Sequence, residues 1–302
     1  MSSTAAGTVL ERDGAVYRVL TATGEVRATL RGRLKQNTPK VVVGDRVRLE
    51  SEPEGGMSSI AGVLERRSLL ARRVPGGRGL RPVVANVDQV LVVTATRRPE
   101  PLPQLIDRLL VLAEANGIAP AVVLNKVDLD RGDALAGRFA RLGYPVFHTS
   151  AKTGEGLDLL RSALRDRESV VTGPSGGGKS SLLNALEPGL RLRIGEISEK
   201  IQRGTNTTVG AIMVPLSGGG FLVDTPGFSE VGLWGLKPGE LAGCFPEFRP
   251  LAGQCRYADC SHVHEPACAV IAAAERGEID PGRLESYRTL LAETGNEPKD
   301  WE

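Results

Sequence analysis

Eight consecutive residues, Gly173-Pro174-Ser175-Gly176-Gly177-Gly178-Lys179-Ser180, have the spacing Gly-x-x-x-x-Gly-Lys-Ser that wraps a phosphate chain. Glycines let the backbone bend closely enough to aim several N–H groups at phosphate oxygens, and a helix beginning here adds its positive end. Lys179 is expected to neutralise the β- and γ-phosphates and Ser180 to ligate Mg²⁺, with Ser181 completing the nucleotide-binding set. A chance glycine turn would have no need of its flanks. Here an apolar run, Ser169 to Thr172, leads in, and a helical run, Ser181 to Leu186, leads out.

Three further clusters carry chemistry. Asp224-Thr225-Pro226-Gly227 follows the apolar stretch Gly220 to Val223. A carboxylate at the end of a buried strand beside the phosphate loop can hold Mg²⁺ through water, and the Gly227 N–H can sense the γ-phosphate. Asn125-Lys126-Val127-Asp128 ends the run Ala121 to Leu124, and Ser150-Ala151-Lys152 ends Pro145 to Thr149. The Asp128 carboxylate can accept hydrogen bonds from N1–H and the 2-amino group of guanine, a pattern that adenine does not offer. The Ser150 loop resembles the one that supports the guanine O6. Either peptide alone could be an ordinary turn, but together on successive strands they favour GTP over ATP and oppose a P-loop ATPase or kinase. Finally, Cys255, Cys260, His262 and Cys268 supply three thiolates and one imidazole within 14 residues. That is a closed tetrahedral zinc set, hence structural. His264 competes with His262 as the nitrogen ligand. The spacing to Cys260 favours His262, and Cys244 reads as a small buried hydrophobe.

These groups need strands to deliver them to one edge. From Asn86 onward, buried strands (Gln89 to Ala95, Pro120 to Leu124, Pro145 to Thr149, Ser169 to Thr172) alternate with amphipathic helices such as Leu102 to Asn116. That alternation implies βαβ units in a parallel sheet, whose ligands sit at the carboxyl ends of the strands. In the usual GTPase order the base-reading motifs come after the phosphate loop. Here they come first, which a sheet tolerates because moving the chain breakpoint leaves strand pairing intact. Residues 8 to 70 read instead as short alternating strands with turn chemistry at Asp13-Gly14 and Thr23-Gly24, best closed into a small barrel of OB or SH3-like type. The Pro/Gly/Arg stretch from Arg72 to Pro82 reads as a loop or linker. Beyond Leu236 come the Cys/His cluster, two short helical stretches (Ala269 to Glu275 and Arg283 to Glu293) and a polar tail.

Of the 302 residues, 41% are hydrophobic and 25% charged, enough for packed cores without compositional disorder. The net charge of +2 conceals an asymmetry: residues 1 to 82 hold 15 Lys/Arg against 8 Asp/Glu, a net of +7, leaving −5 for the rest. A basic barrel suits a polyanionic partner. No run of ~18 apolar residues occurs and the first residues lack a signal-peptide layout, so no membrane partner is expected and the cytoplasm is the expected location.

The whole arrangement, barrel, NKVD, SAK, GPSGGGKSS and DTPG in permuted order, then CRYADCSHVHEPAC, resembles the bacterial RsgA family of small-ribosomal-subunit biogenesis GTPases. The resemblance implies a multidomain α/β chain: an N-terminal OB-type barrel (residues 1–72), a central circularly permuted P-loop GTPase domain (83–235) and a C-terminal zinc-binding helical domain (236–302). It implies a monomer that binds GTP and GDP with Mg²⁺, one structural Zn²⁺, and the small ribosomal subunit with its rRNA as partner. Thr207 or Thr208 is then the switch threonine that ligates Mg²⁺, grouped with Lys179 and Gly227 as catalytic. Two positions depart from expectation. Phe228 stands where Ras-like enzymes carry a water-orienting glutamine, and Asn206 stands where the family has a histidine. Phe228 cannot orient water, so intrinsic turnover is expected to be slow; the Asn206 amide can bond water but cannot act as a general base. A nucleotide-gated RNA-binding scaffold with negligible turnover is the alternative.

Overall fold

The computed structural model describes residues 4–31, 40–50, 57–73, 80–188, 211–225 and 236–295. The chain opens with five strands, β1 (Thr4–Asp13), β2 (Val16–Thr21), β3 (Gly24–Leu30), β4 (Arg46–Glu50) and β5 (Ser58–Val63), closed into a barrel in the order β1-β2-β3-β5-β4. All neighbours are antiparallel except β3 and β5, which run parallel, and β1 closes the ring by pairing with β4. This is OB-like topology. Alternation places Tyr17 and Val19 of β2, and Val47 and Leu49 of β4, in the barrel core with Val9, Ala28 and Ile60. Closure leaves no sheet edge exposed in so short a segment.

A two-stranded ribbon follows, β6 (Leu69–Arg73) and β7 (Leu80–Ala85). The expected loop from Arg72 to Pro82 is therefore partly strand. Sequence periodicity fails here because a register shift falls between Leu70 and Ala71, opposite Pro82, where a missing N–H is tolerated. Tertiary contacts supply what local pattern lacks. Asn116 Oδ1 accepts the Ala71 N–H at 3.0 Å, and Leu70 and Val84 pack with Leu10 and Val43 of the barrel.

The central sheet has six strands in the order β10-β9-β8-β11-β13-β12, where β8 is Gln89–Ala95, β9 Ala119–Asn125, β10 Val146–Thr149, β11 Glu168–Thr172, β12 Ile212–Pro215 and β13 Phe221–Asp224. Only β12 is antiparallel to its neighbour. Every residue of β8 is buried, because helices cover both faces. On one face α1 (Pro103–Ala115) and α2 (Asp133–Ala140) join a core that continues into the C-terminal helices; on the other α3 (Leu157–Leu164) and α4 (Lys179–Leu186) pack on Leu91, Val93 and Val171. After residue 236 come α5 (Pro238–Gly243), a 3₁₀ turn (Pro246–Leu251), α6 (Ala269–Glu275) and α7 (Pro281–Gly295), the last longer at both ends than its sequence pattern suggests.

Candidate functional site

Strand β11 delivers the phosphate loop. At Gly173 φ is +141°, and an added Cβ would lie 2.0 Å from the Val93 carbonyl oxygen; at Gly178 φ is +86°, and a Cβ would lie 2.3 Å from Asn125 Nδ2. Both positions admit only glycine. Lys179 opens α4, and its Nζ donates to the carbonyls of Gly173 at 2.7 Å and Pro174 at 2.9 Å, so the ammonium lies folded along the loop it serves. Burial pushes its pKa down and that of Asp224 up, while the attraction between the two charges opposes both shifts. Asp224 ends β13, paired in register with Val171 of β11. Ser180 and Ser181 line a cavity of about 380 Å³ together with Ala151, Asn184 and Ala185.

The base-reading motifs arrive on the neighbouring strands and are bonded to that loop. Asn125, the last residue of β9, donates from Nδ2 to the Gly177 carbonyl at 3.2 Å and accepts at Oδ1 from the Ala151 N–H at 3.3 Å. It thus ties three motifs together. Lys126, at φ +65°, reaches across to the Gly176 carbonyl at 2.9 Å and also to the Arg98 carbonyl. Val127 is buried, its N–H donating to the Thr149 carbonyl at 3.2 Å. Ser150 Oγ donates to Asp128 Oδ1 at 2.6 Å, orienting the carboxylate, whereas Lys152 is exposed beside them. The structure therefore gathers Asn125 to Asp128, Ser150 to Lys152, Gly173 to Ser181 and Asp224 at one edge of the sheet. Thr207, Thr208 and Gly227, with Asn206 and Phe228, lie outside the described residues.

The second cluster sits between the 3₁₀ turn and α7. Donor atoms of Cys255, Cys260, His262 and Cys268 all lie within 4.8 Å of one another. Cys255 Sγ is 3.8 Å from Cys268 Sγ, and His262 Nδ1 is 3.3 Å from Cys268 Sγ and 3.6 Å from Cys255 Sγ. Tetrahedral zinc with bonds of ~2.3 Å to sulfur and ~2.0 Å to nitrogen needs separations of ~3.8 and ~3.5 Å, so the set fits. His264 is not among the four. The His262 ring is seated between Phe248 and Tyr287, at centroid distances of 6.1 and 6.0 Å. Cys244 is buried away from the cluster and donates to the Glu240 carbonyl.

Comparison with known proteins decides the family. A model of the RsgA GTPase matches residues 63–234, and one of the RsgA N-terminal domain matches residues 6–57. The chain belongs to the RsgA family. It is 51% identical to the small ribosomal subunit biogenesis GTPase RsgA of Gemmatimonas aurantiaca, over 97% of this chain and 98% of that one. It is 44% identical to the protein of the same name from Moorella thermoacetica, over 95% and 96%. Among solved structures it resembles YjeQ from Thermotoga maritima with a TM-score of 0.79 and 36% identity, covering 98% of this chain and all of that one. It also resembles YloQ, a circularly permuted GTPase, with a TM-score of 0.77 and 27% identity over 99% and 98%.

Within this RsgA chain, two groups outside the sequence motifs matter to the site. The Arg98 carbonyl holds Lys126, and no local pattern marks it. More buried is the join between α1 and the C-terminal helices. Asp107 and Arg283 are both fully buried; Arg283 Nη1 donates to Asp107 Oδ1 at 2.9 Å, while Arg138 Nη2 (2.9 Å) and Ser286 Oγ (2.7 Å) donate to Asp107 Oδ2. The other edge of Arg283 meets Glu247 through Nε at 2.7 Å and Nη2 at 3.2 Å, and its guanidinium lies 4.5 Å from the centre of the Phe245 ring. This network ties α1 and α2, which cover the GTPase sheet, to α7 and the 3₁₀ turn that flank the Cys3His cluster.

Proposed function

We propose that this chain hydrolyses GTP while bound to the small ribosomal subunit, with the basic barrel against rRNA. The observation that carries the reading is Asn125, which bonds the phosphate loop and the Ser150 loop at once and so makes one site of motifs that are permuted in sequence. Relatives of the same length, named as small ribosomal subunit biogenesis GTPases, supply the partner. In this reading backbone N–H groups of the loop from Ser175 to Gly178 face the phosphates, and Lys179 leaves its carbonyl partners to compensate β- and γ-phosphate charge. Asp128, held by Ser150, reads guanine. Ser180 and Asp224 hold Mg²⁺, joined by Thr207 or Thr208, and Gly227 senses the γ-phosphate. The ion, once bound, spreads charge away from the transferring phosphoryl group.

Cys255, Cys260, His262 and Cys268 hold one Zn²⁺ with no open position, so the metal serves architecture rather than chemistry. Among the described residues no helix is long and apolar enough to cross a membrane. Work on ribosomal subunits would put the chain in the cytoplasm, and in this reading it acts as a monomer. In this reading the barrel takes residues 1–72, the GTPase domain 83–235 and the metal-binding domain 236–302, with the ribbon β6–β7 bridging the first two. The deciding experiment is GTP turnover with purified small subunits, large subunits and neither. Stimulation by small subunits alone is expected. No stimulation, with GTP-dependent subunit binding intact, would favour the scaffold reading that Asn206 and Phe228 suggest.

A further inference from the structure

The turn that carries His262 is held by a residue outside the Cys3His set. His262 has φ +59° and Ala267 φ +55°, left-handed values that residues with side chains keep only when their surroundings over-determine them. Glycine relieves neither position. Between them stands Glu265, whose carboxylate takes four donors. Oε1 accepts the Ser261 N–H at 2.8 Å and the Ser261 hydroxyl; Oε2 accepts the N–H groups of Val263 at 3.0 Å and His264 at 3.2 Å.

The outer side of the same turn is fixed from α7. Tyr287 Oη donates to the Ser261 carbonyl at 2.9 Å, and Arg288 Nη2 donates to the Val263 carbonyl at 2.9 Å. Peptide groups on both sides of His262 are therefore bonded, inward to one carboxylate and outward to α7. This leaves the imidazole little choice of direction. Its Nδ1 points at the sulfurs of Cys255 and Cys268.

We infer that Glu265 is a positioning residue for the metal: by gripping the backbone of Ser261, Val263 and His264, it aims His262 Nδ1 at the point the three cysteine sulfurs share. The inference rests on the reading that the cluster binds a divalent metal. Groups that orient a ligand typically change metal affinity about 10- to 100-fold when removed, although they never touch the ion. Glu265→Gln tests it sharply. The side chain keeps its size, but one acceptor oxygen becomes an NH₂ facing N–H donors.

The experiment uses the full chain. Zinc content is measured after purification without chelator, and release of zinc to an excess of a chromogenic chelator is timed. The same proteins are then loaded with Co²⁺, whose visible spectrum reports ligand set and geometry, a signature that loosening of the turn alone would not move. E265Q is expected to release zinc about tenfold faster or more, and to show weakened tetrahedral cobalt bands. Ser261→Ala, which removes one of the four donors, should fall between parent and E265Q and stands in if E265Q does not fold. Parental release and cobalt spectrum in E265Q, or parental release in S261A should E265Q not fold, would overturn the role of Glu265. A parent chain that carries no zinc and takes up none overturns the metal reading itself, before any variant is compared.

Discussion

Asp107→Ala tests the join between the GTPase sheet and the metal-cluster helices most directly. The substitution strands three donors: Arg283 Nη1, Arg138 Nη2 and Ser286 Oγ. Three bonds to a carboxylate at roughly 1.5–3 kcal/mol each sum to about 4.5–9 kcal/mol. Relief lowers that figure. Arg138 is 15% exposed and also lies 3.7 Å from Asp280, and Arg283 keeps both oxygens of Glu247. About 4 kcal/mol remains, within the 3–5 kcal/mol typical of breaking a buried pair. Urea unfolding followed by far-ultraviolet circular dichroism reads it as a midpoint shift of about 1.3–2 M, taking a slope of about 2–3 kcal/mol/M. Because a multidomain chain need not unfold in one step, amide exchange in α7 supplies the local measure and should accelerate sharply. A midpoint shift below about 0.4 M with unchanged exchange in α7 would refute the argument that this network fixes the two parts.

Lys179→Ala should lower subunit-stimulated GTP turnover at least about 100-fold, since the phosphate charge loses its ammonium; single-turnover assays check this, and a parental rate places the chemistry elsewhere. Asp128→Asn should weaken GTP and favour xanthosine triphosphate, whose base presents an acceptor where guanine has its 2-amino donor; competition binding measures the exchange, and unchanged preference removes Asp128 from base reading. Stripping the metal with a chelator should unfold the α6–α7 region while nucleotide binding survives, seen by circular dichroism and fluorescent-nucleotide titration. Affinity for small subunits should be higher with a non-hydrolysable GTP analogue than with GDP and fall steeply with salt; co-sedimentation giving equal affinities would sink a nucleotide switch.

Sequence pattern reveals most where a function is local. The phosphate loop needs its glycines because Val93 and Asn125 crowd the backbone at Gly173 and Gly178, so the motif is written in eight adjacent residues. Strand β8 matches its sequence reading residue for residue, because burial on both faces leaves an unbroken apolar run. The ribbon β6–β7 was less legible, since its pairing depends on Asn116 and on Val43 of the barrel, far away in the chain. Asp107 and Arg283 stand 176 residues apart, and each looks like any surface charge on an amphipathic helix until the fold buries them. Glu265 is the intermediate case. It lies within the cysteine cluster, but no spacing marks its part there, and only the turn shows what it bonds.

Strand β11 ends at the phosphate loop, but it begins at Glu168, a buried carboxylate that meets Arg67 just before the ribbon and Arg46 on the barrel at 3.4 Å. The two ends of one short strand thus answer to different parts of the molecule. Modularity here is consequently lopsided. A GTPase fragment cut near residue 83 would discard Arg46, Arg67 and most of the ribbon, leaving Glu168 without either cation and the apolar flank around Val87 bare. A cut between Val63 and Arg66 keeps Arg67 and the ribbon beside Glu168. It gives up Arg46, the packing of Leu70 and Val84 on Leu10 and Val43, the Asn86 bond to the Gly44 carbonyl and the pairing of Arg66 with the buried Asp45, contacts that a replacement barrel must supply again. Chimaeras that exchange barrels between relatives should therefore be joined ahead of Arg66, so that the ribbon travels with the nucleotide site and not with the barrel.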